Sequence, residues 1–482
     1  MKRLGFEEYE RLSEGGGLVP VFREIPGDLL TPVSAFLAVA ARSERAFLLE
    51  SVVGGERLAR YSFLGRDPVA TLEARGRTVV ERGGDGVREV PSGLMDAVRG
   101  RLGRPAAEVP GLPRFTGGAV GYLAYDAVRL FERLPDRHAP VAAPLASFSF
   151  FRSIVAFDHV LQRLVLVADA EPGSRRAFEA ALDVLDGLEE DLRRPGSAVE
   201  ETRPDSVVRP AFPDGREFRG AVARAKEYIA AGDIFQVVLS RQLTIECGLD
   251  PFRVYRALRM VNPSPYMYFF KDGTAAIAGA SPEMLVRVEG RTVETRPIAG
   301  TRRRGASVEE DERLGRELLA DAKERAEHVM LVDLGRNDVG RVCRYGSVSV
   351  PELMRLERYS HVTHIASSVT GELREGCDAL DALVATFPAG TLSGAPKIRA
   401  MEIIDELEPA RRGLYGGALG YIDLRGNLDF CIAIRTVAMR DGRATIQSGA
   451  GIVADSDPDS EQRETEDKAG AMLEALRLAE AL

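Results

Sequence analysis

Toward the C-terminus, Ala469, Met472, Leu473, Leu476 and Ala479 fall at helical spacing and predict an amphipathic helix. Asp457-Pro458-Asp459 ahead of it breaks the chain and supplies a cap. The same periodicity predicts helices over 177–192, 214–231, 251–261, 308–331, 377–386 and 397–408, the second stopped by Gly232. Apolar runs predict strands over 45–49, 164–167, 234–245, 275–278, 284–288, 418–421, 429–439 and 444–446. The run 116–125 reads as a buried strand edged by glycines. Strands and helices mix without strict βαβ alternation, so the expected class is α+β (mixed α/β) and not a doubly wound sheet. A stretch rich in Pro, Ser and charge makes 193–213 the expected linker between an N-terminal region, 1–192, and a second region, 214–482.

A chain of 482 residues exceeds one ordinary domain, and 45% apolar against 28% charged residues is the balance of a folded globular protein. A net charge of −9 argues against nucleic acid as a partner, because phosphates need a basic surface. No run approaches the ~18 apolar residues of a membrane span, and the first residues lack the apolar core of a secretory signal. Cys247, Cys343, Cys377 and Cys431 are scattered without a C-x-x-C pair, which predicts reduced cysteines in a cytoplasmic protein. Five histidines disfavour a His-rich metal centre and favour carboxylate ligands, hence Mg²⁺.

Projecting the C-terminal stripe backwards puts Glu461, and nearly Glu464, on the inward face. Acids there are costly to bury unless paired or bound to a metal, although in a first turn they also suit the helix dipole. Glu324 and Glu327 form a second i, i+3 pair, with Leu314, Leu318, Ala322 and Val329 on the opposite face of the expected helix. Periodicity leaves both a solvated face and a metal site open for that pair. Glycine-rich loops recur at 298–301, 390–397, 415–417 and 449–451, each also readable as an ordinary turn. Neither a phosphate loop nor a dinucleotide fingerprint is present. At Gly449 and Gly451 the bare backbone admits a ligand's carboxylate closely. His361 and His364 stand close together in Y-S-H-V-T-H-I, and Arg435 is a charge inside an apolar run, either at an edge or paired with an anion.

Residues from about 215 to 475 resemble the chorismate-binding enzymes. The matching segments include G-D-I-F-Q-V-V-L-S-R (232–241), S-P-E-M-L (281–285), R-P-I-A-G-T-R (296–302) and E-R-A-E-H-V-M-L-V-D-L-G-R-N-D (324–338). G-T-L-S-G-A-P-K (390–397), Y-G-G-A-L-G-Y (415–421), A-I-R-T (433–436) and the C-terminal segment complete the series. The resemblance implies two orthogonal, antiparallel-rich sheets wrapped by helices. It implies Glu327 and Glu464 as direct Mg²⁺ ligands, supported by Glu324 and Glu461. It further implies that Gly300, Thr301, Tyr415, Arg435, Gly449, Ala450, Gly451 and Lys468 surround a substrate with two carboxylates. His364 matches the family's catalytic histidine, and Glu283 the acid that protonates the leaving hydroxyl.

Two positions bear on which member this is. Sister enzymes that add water to chorismate carry a lysine base where this chain has Gln236. Aminodeoxychorismate synthase carries a nucleophilic lysine where this chain has Ala299. The resemblance therefore implies direct attack by ammonia and elimination of pyruvate to give anthranilate. An amino-deoxyisochorismate synthase, which shares the amination and stops before elimination, is the alternative. L-L-E-S (48–51) with Pro265, Tyr266 and Met267 resembles a tryptophan feedback site that would include Ser51. No cysteine lies in a G-x-C-x-G nucleophile turn, so ammonia from glutamine implies a separate glutamine amidotransferase subunit (component II).

Overall fold

The computed structural model describes residues 1–51, 60–194, 212, 214–359 and 362–482. Of the expected linker, residues 195–211 and 213 lie outside the described residues, as does His361. Most strands find their partners far away in sequence, and among the described residues two large antiparallel sheets result.

The first sheet runs Val19–Pro26, Arg163–Ala170, Ser153–Asp158, Tyr61–Arg66, Arg45–Glu50, Tyr266–Asp272, Ala275–Ser281, Thr436–Arg440, Arg443–Ile452, Gln236–Glu246 and Gly394–Ala395. The second runs Ile298–Arg303, Val362–Glu372, Thr292–Thr295, Met284–Glu289, Leu428–Ile432, Ala418–Asp423, Gly118–Leu123, Ala146–Phe151, Ala70–Arg75, Thr78–Gly83 and Gly86–Val90. Ser349–Arg358 adds to it beside Val362–Glu372.

Both sheets draw strands from each side of 193–213. In the first, Glu50 stands opposite Met267. In the second, Gly121 stands opposite Gly420. A Cβ at Gly121 would lie 2.0 Å from the Ser147 carbonyl oxygen, and one at Gly420 would lie 2.1 Å from that of Asp429. Only glycine allows this approach, and the rings of Phe148 and Phe430 lie over the bare positions.

The C-terminal helix, Pro458–Ala481, is capped by Asp457, whose carboxylate accepts from the Ser460 amide (2.9 Å). It buries Thr465, Ala469, Met472, Ala475, Leu476 and Ala479, mostly in an apolar cluster shared with Tyr255 and Leu258 of Pro251–Val261. Burying a Met or Leu side chain contributes roughly 1.5–3 kcal/mol. The expected Leu473 is only half-buried, and Thr465 and Ala475 complete the stripe. The packed stripe holds the helix's first turns, with Glu461, Glu464 and Lys468, against the strand Arg443–Ile452.

Two expected elements are interrupted. The helix expected over 308–331 is two helices, Val308–Ala320 and Ala322–Gly340. Asp321 between them has extended backbone, and its carboxylate accepts from the amides of Lys323 (3.0 Å) and Glu324 (3.2 Å). An aspartate that satisfies the first amides of a new helix ends the old one. The break resets the helical phase, so Val329 is 44% exposed while Glu324 and Glu327 turn toward the protein. The strand expected over 429–439 divides into Leu428–Ile432 and Thr436–Arg440, which belong to different sheets. Arg435 sits in the bend with φ +49°, a conformation that side chains rarely adopt.

Candidate active site

The segments singled out by sequence meet between one end of each sheet and two helices. Strands Gln236–Glu246 and Arg443–Ile452 pair so that Val238 faces Gly451, Leu239 faces Ala450 and Ser240 faces Gly449. Side chains on neighbouring elements close over these glycines. A Cβ at Gly451 would lie 2.6 Å from Gln236 Nε2, and one at Gly449 would lie 2.6 Å from the Tyr415 hydroxyl. Lys468 Nζ donates to the Gly449 carbonyl (3.1 Å) and pairs with Glu464 (2.6 Å). The C-terminal helix is thus tied to the glycine strand by a cation at the mouth, where Glu464 is 47% exposed.

Gln236 Nε2 points across the cleft to Glu327 Oε1 (3.5 Å), while its Oε1 is buried without a hydrogen bond among the described residues. Glu327 has its pKa raised first by burial, then by the charges of Glu324 and Glu464, with Lys323 and Lys468 opposing. Burial, together with Glu464, also raises Glu461, against a stabilising contact from Ser456. The four glutamates therefore share one negative field, drawn from two helices. One glutamate of each pair is held by a cation: Arg302 bonds Glu324 (3.0 Å) and also Asp321 (3.1 Å), and Lys468 bonds Glu464. Among the described residues no group of three or more His, Cys, Asp and Glu converges closely enough to hold a metal ion as it stands.

Opposite the acids lies a histidine held by backbone. The strand Ile298–Arg303 bulges between Ala299 and Thr301, which brings Thr301 opposite His364. Gly300 in the bulge has φ +67°, and a Cβ there would lie 3.0 Å from Glu324 Oε2. His364 Nδ1 lies 3.1 Å from the Gly300 carbonyl oxygen and 3.0 Å from Thr301 Oγ1. A carbonyl only accepts, so Nδ1 carries the proton and Nε2 keeps its lone pair. Burial lowers the His364 pKa, with Arg435 adding to the shift and the Gly300 carbonyl and Glu357 opposing it, which favours the neutral ring at pH 7.

Arg435 is half-buried, and among the described residues its guanidinium meets Asn262 Oδ1 (3.5 Å) and pairs with no carboxylate. Burial lowers even this guanidinium's pKa. An unneutralised guanidinium inside a protein is a strong recruiter of anions. Glu283 is the complementary case, a carboxyl raised to about 8 by burial, despite donors at Thr391 and the Ile298 amide and the charge of Lys468. At neutral pH it is a proton donor. The arrangement thus offers a charged acceptor for anions, a protonated acid, a neutral base and a cluster of carboxylates. Reading the sequence missed Thr391 and Arg302 as contacts of Glu283 and Glu324. The only signal for Thr391 was its place in a glycine-rich segment that also reads as a turn.

A second cavity, about 430 Å³, lies apart from these groups between the two sheets. Leu49, Glu50 and Ser51 meet Pro265, Tyr266 and Met267 there, with Tyr61, Phe63 and Tyr421 as aromatic walls. The Ser51 hydroxyl oxygen is buried without a hydrogen bond among the described residues. Arg287 and Asp429 form an ion pair (2.7 Å) that also holds the Tyr266 hydroxyl, which donates to Asp429 (3.0 Å).

The family model for chorismate binding enzyme matches residues 45–474. Anthranilate synthase component 1 of Streptomyces coelicolor is 50% identical over 476 residues, covering 96% of this chain and 90% of that protein. The protein of the same name from Acetivibrio thermocellus is 46% identical over 485 residues, 98% of each chain. Among solved structures, anthranilate synthase component I of Streptococcus pneumoniae superposes with a TM-score of 0.77 at 38% identity, covering 94% of this chain and 99% of that one. The menaquinone-specific isochorismate synthase of Escherichia coli shares the fold, with a TM-score of 0.70 at 19% identity over 96% of this chain and 95% of its own.

Proposed function

This chain belongs to the chorismate-binding enzymes, and from that premise we propose that it is the synthase component of an anthranilate synthase. It would convert chorismate and ammonia to anthranilate, pyruvate and water, as a carbon–oxygen lyase of tryptophan biosynthesis in the cytoplasm. The observation that carries this reading is the half-buried Arg435, with no carboxylate partner among the described residues, near His364, whose Gly300 neighbour lies against one of the four glutamates. A dianionic substrate with a leaving hydroxyl needs such an arrangement.

Arg435 and the Gly449–Gly451 backbone would receive carboxylate oxygens, with Tyr415 and Lys468 closing over them. Glu283, protonated at neutral pH, would give its proton to the departing hydroxyl oxygen. Ammonia would attack the ring directly, because Gln236 is no base for water and Ala299 offers no nucleophile. Loss of the enolpyruvyl group then needs a proton taken from the ring, and His364 Nε2 is suited to take it.

The donor set fits Mg²⁺ in kind. Carboxylates are the ligands a hard divalent ion prefers, and the repulsion that raises Glu327 is what such an ion relieves. Glu327 and Glu464 would hold it, with Glu324 and Glu461 beside them. When bound, it would anchor a substrate carboxylate and offset charge on the departing oxygen.

The second cavity would take tryptophan as a feedback inhibitor. Its aromatic walls suit an indole, and the Glu50 carboxylate, the Arg287–Asp429 pair and the Ser51 hydroxyl, which has no partner among the described residues, suit a zwitterionic head group. Glutamine-derived ammonia would come from a separate amidotransferase subunit. The test is anthranilate fluorescence from the purified chain with chorismate, Mg²⁺ and ammonium, with pyruvate followed alongside. Stoichiometric anthranilate and pyruvate, suppressed by tryptophan, are the expected result. An aminated product without pyruvate would overturn the assignment in favour of an amino-deoxyisochorismate synthase.

A further inference from the structure

Glu283 stands over a small cavity of about 30 Å³ walled by Thr295, Leu331, Leu334, Asp338, Thr386 and Thr391. Buried among Met284, Leu331 and Ile432, its carboxyl has few polar neighbours to choose its orientation. One side chain does: the Thr391 hydroxyl donates to Glu283 Oε1 (3.0 Å). We propose that Thr391 is a positioning residue for Glu283, and that segment 390–397 is the brace that holds it in place. The proposal rests on the reading of Glu283 as the acid.

The brace is fixed at several points. The Leu392 carbonyl accepts from Arg412 Nη1 (2.7 Å), and Arg412 is itself buried against Glu408 through two bonds (2.9 and 2.6 Å). Gly394 and Ala395 pair with Val237 and Gln236. Lys397 Nζ bonds Asp338 Oδ2 (2.7 Å) and the Thr386 carbonyl (3.3 Å). A Cβ at Gly390 would lie 2.9 Å from Leu334 Cδ1, so the segment's start is pressed onto the helix Ala322–Gly340. Thr391 therefore has little freedom to follow a moving carboxyl; the carboxyl must settle on it.

The chemical consequence concerns the carboxyl's orientation: Thr391 fixes Oε1 from a side chain, beside the Ile298 amide that also donates to this carboxyl. The charged and titratable groups around Glu283 are Lys468 from the C-terminal helix, Tyr359 from the neighbouring strand end, and the Asp338–Lys397 pair across the cavity. None replaces the threonine's direct contact. The hydroxyl also favours the charged form of Glu283, so its loss leaves burial less opposed.

The experiment compares Thr391→Val, which keeps shape and loses the hydroxyl, with Thr391→Ser, which restores it. Valine should lower kcat about tenfold with little change in KM, the scale of one hydrogen bond to an acid. The alkaline limb of the kcat profile should move up by about half to one pH unit. Serine should recover both. If valine does not fold, Thr391→Cys, a weak donor of similar size, should show the same shift reduced. An unmoved alkaline limb, or no recovery with serine, reduces Thr391 to a structural role and overturns the proposal. Glu283→Gln separates the two failures. Turnover surviving that change sinks the acid reading itself, whereas lost turnover with an unresponsive Thr391 sinks only this inference.

Discussion

The candidate active site and the cavity at Ser51 are built from opposite materials. Every side chain of the candidate active site comes from the second region, between Gln236 and Lys468, and its character is electrostatic. The cavity at Ser51 takes its walls from both regions, along the seam where Arg45–Glu50 pairs with Tyr266–Asp272, and its character is aromatic. The strand Ala275–Ser281 links the two, since its Ser281 pairs with Tyr266 of the cavity and lies two residues before Glu283. Such adjacency is a route for coupling, and the coupling itself is a quantity to be measured.

The sharpest way to break the comparison is to remove charge from one side only. Glu327→Gln should reduce Mg²⁺-dependent turnover on the order of 1,000-fold while leaving the circular dichroism spectrum and the tryptophan response of thermal unfolding intact. Near-normal turnover in that variant would dismiss the glutamate cluster as a metal site. Glu283→Gln should cost about 100- to 10,000-fold in turnover, the range for a general acid. Its effect on stability should have the opposite sign. Burial raises the Glu283 pKa from 4.5 to about 8, so the folded state holds a proton that the unfolded chain releases. That preference favours folding below pH 4.5 and is progressively lost as pH climbs toward 8. Glutamine removes the penalty, so the variant should gain about 2–4 kcal/mol over the parent at pH 8 and almost nothing at pH 4.5. Denaturant unfolding at the two pH values checks it, and equal gains at both would mean that Glu283 is not the perturbed group.

How far the sequence reaches differs between these regions too. The helix Pro251–Val261 is legible to the residue, because its apolar stripe, Asp250 cap and leading proline agree. The helix break at Asp321 is not, since periodicity continues across it and only the cap geometry reveals that a new helix begins. That single residue decides whether Glu324 and Glu327 face solvent or the cleft, so their role was open from spacing and came only from resemblance. Arg435 is similar: its oddity in an apolar run is visible, but the bend that carries it between two sheets depends on pairings made by distant strands. The pairing of Leu48–Ser51 with Pro265–Met267 is a long-range register that no local pattern states. Thr391 stayed hidden because a threonine in a glycine-rich turn has no signature until Glu283 is brought beside it.

The smallest expected effect sharpens the contrast at the seam. The Ser51 hydroxyl oxygen is buried with no partner among the described residues, a state that costs free energy unless a ligand supplies the missing bond. Ser51→Ala removes that cost from the free protein and the bond from the complex. Both changes weaken tryptophan, by roughly 3- to 10-fold on the scale of one hydrogen bond. Nothing in the active site touches Ser51, so turnover without tryptophan should match the parent within error. Inhibition curves at fixed chorismate, run beside isothermal titration with tryptophan, check both halves. An unchanged inhibition constant would remove Ser51 from the inhibitor's contacts. A fall in uninhibited turnover would instead mean that the seam cavity and the active site are one mechanical unit even without ligand, erasing the division of labour between them.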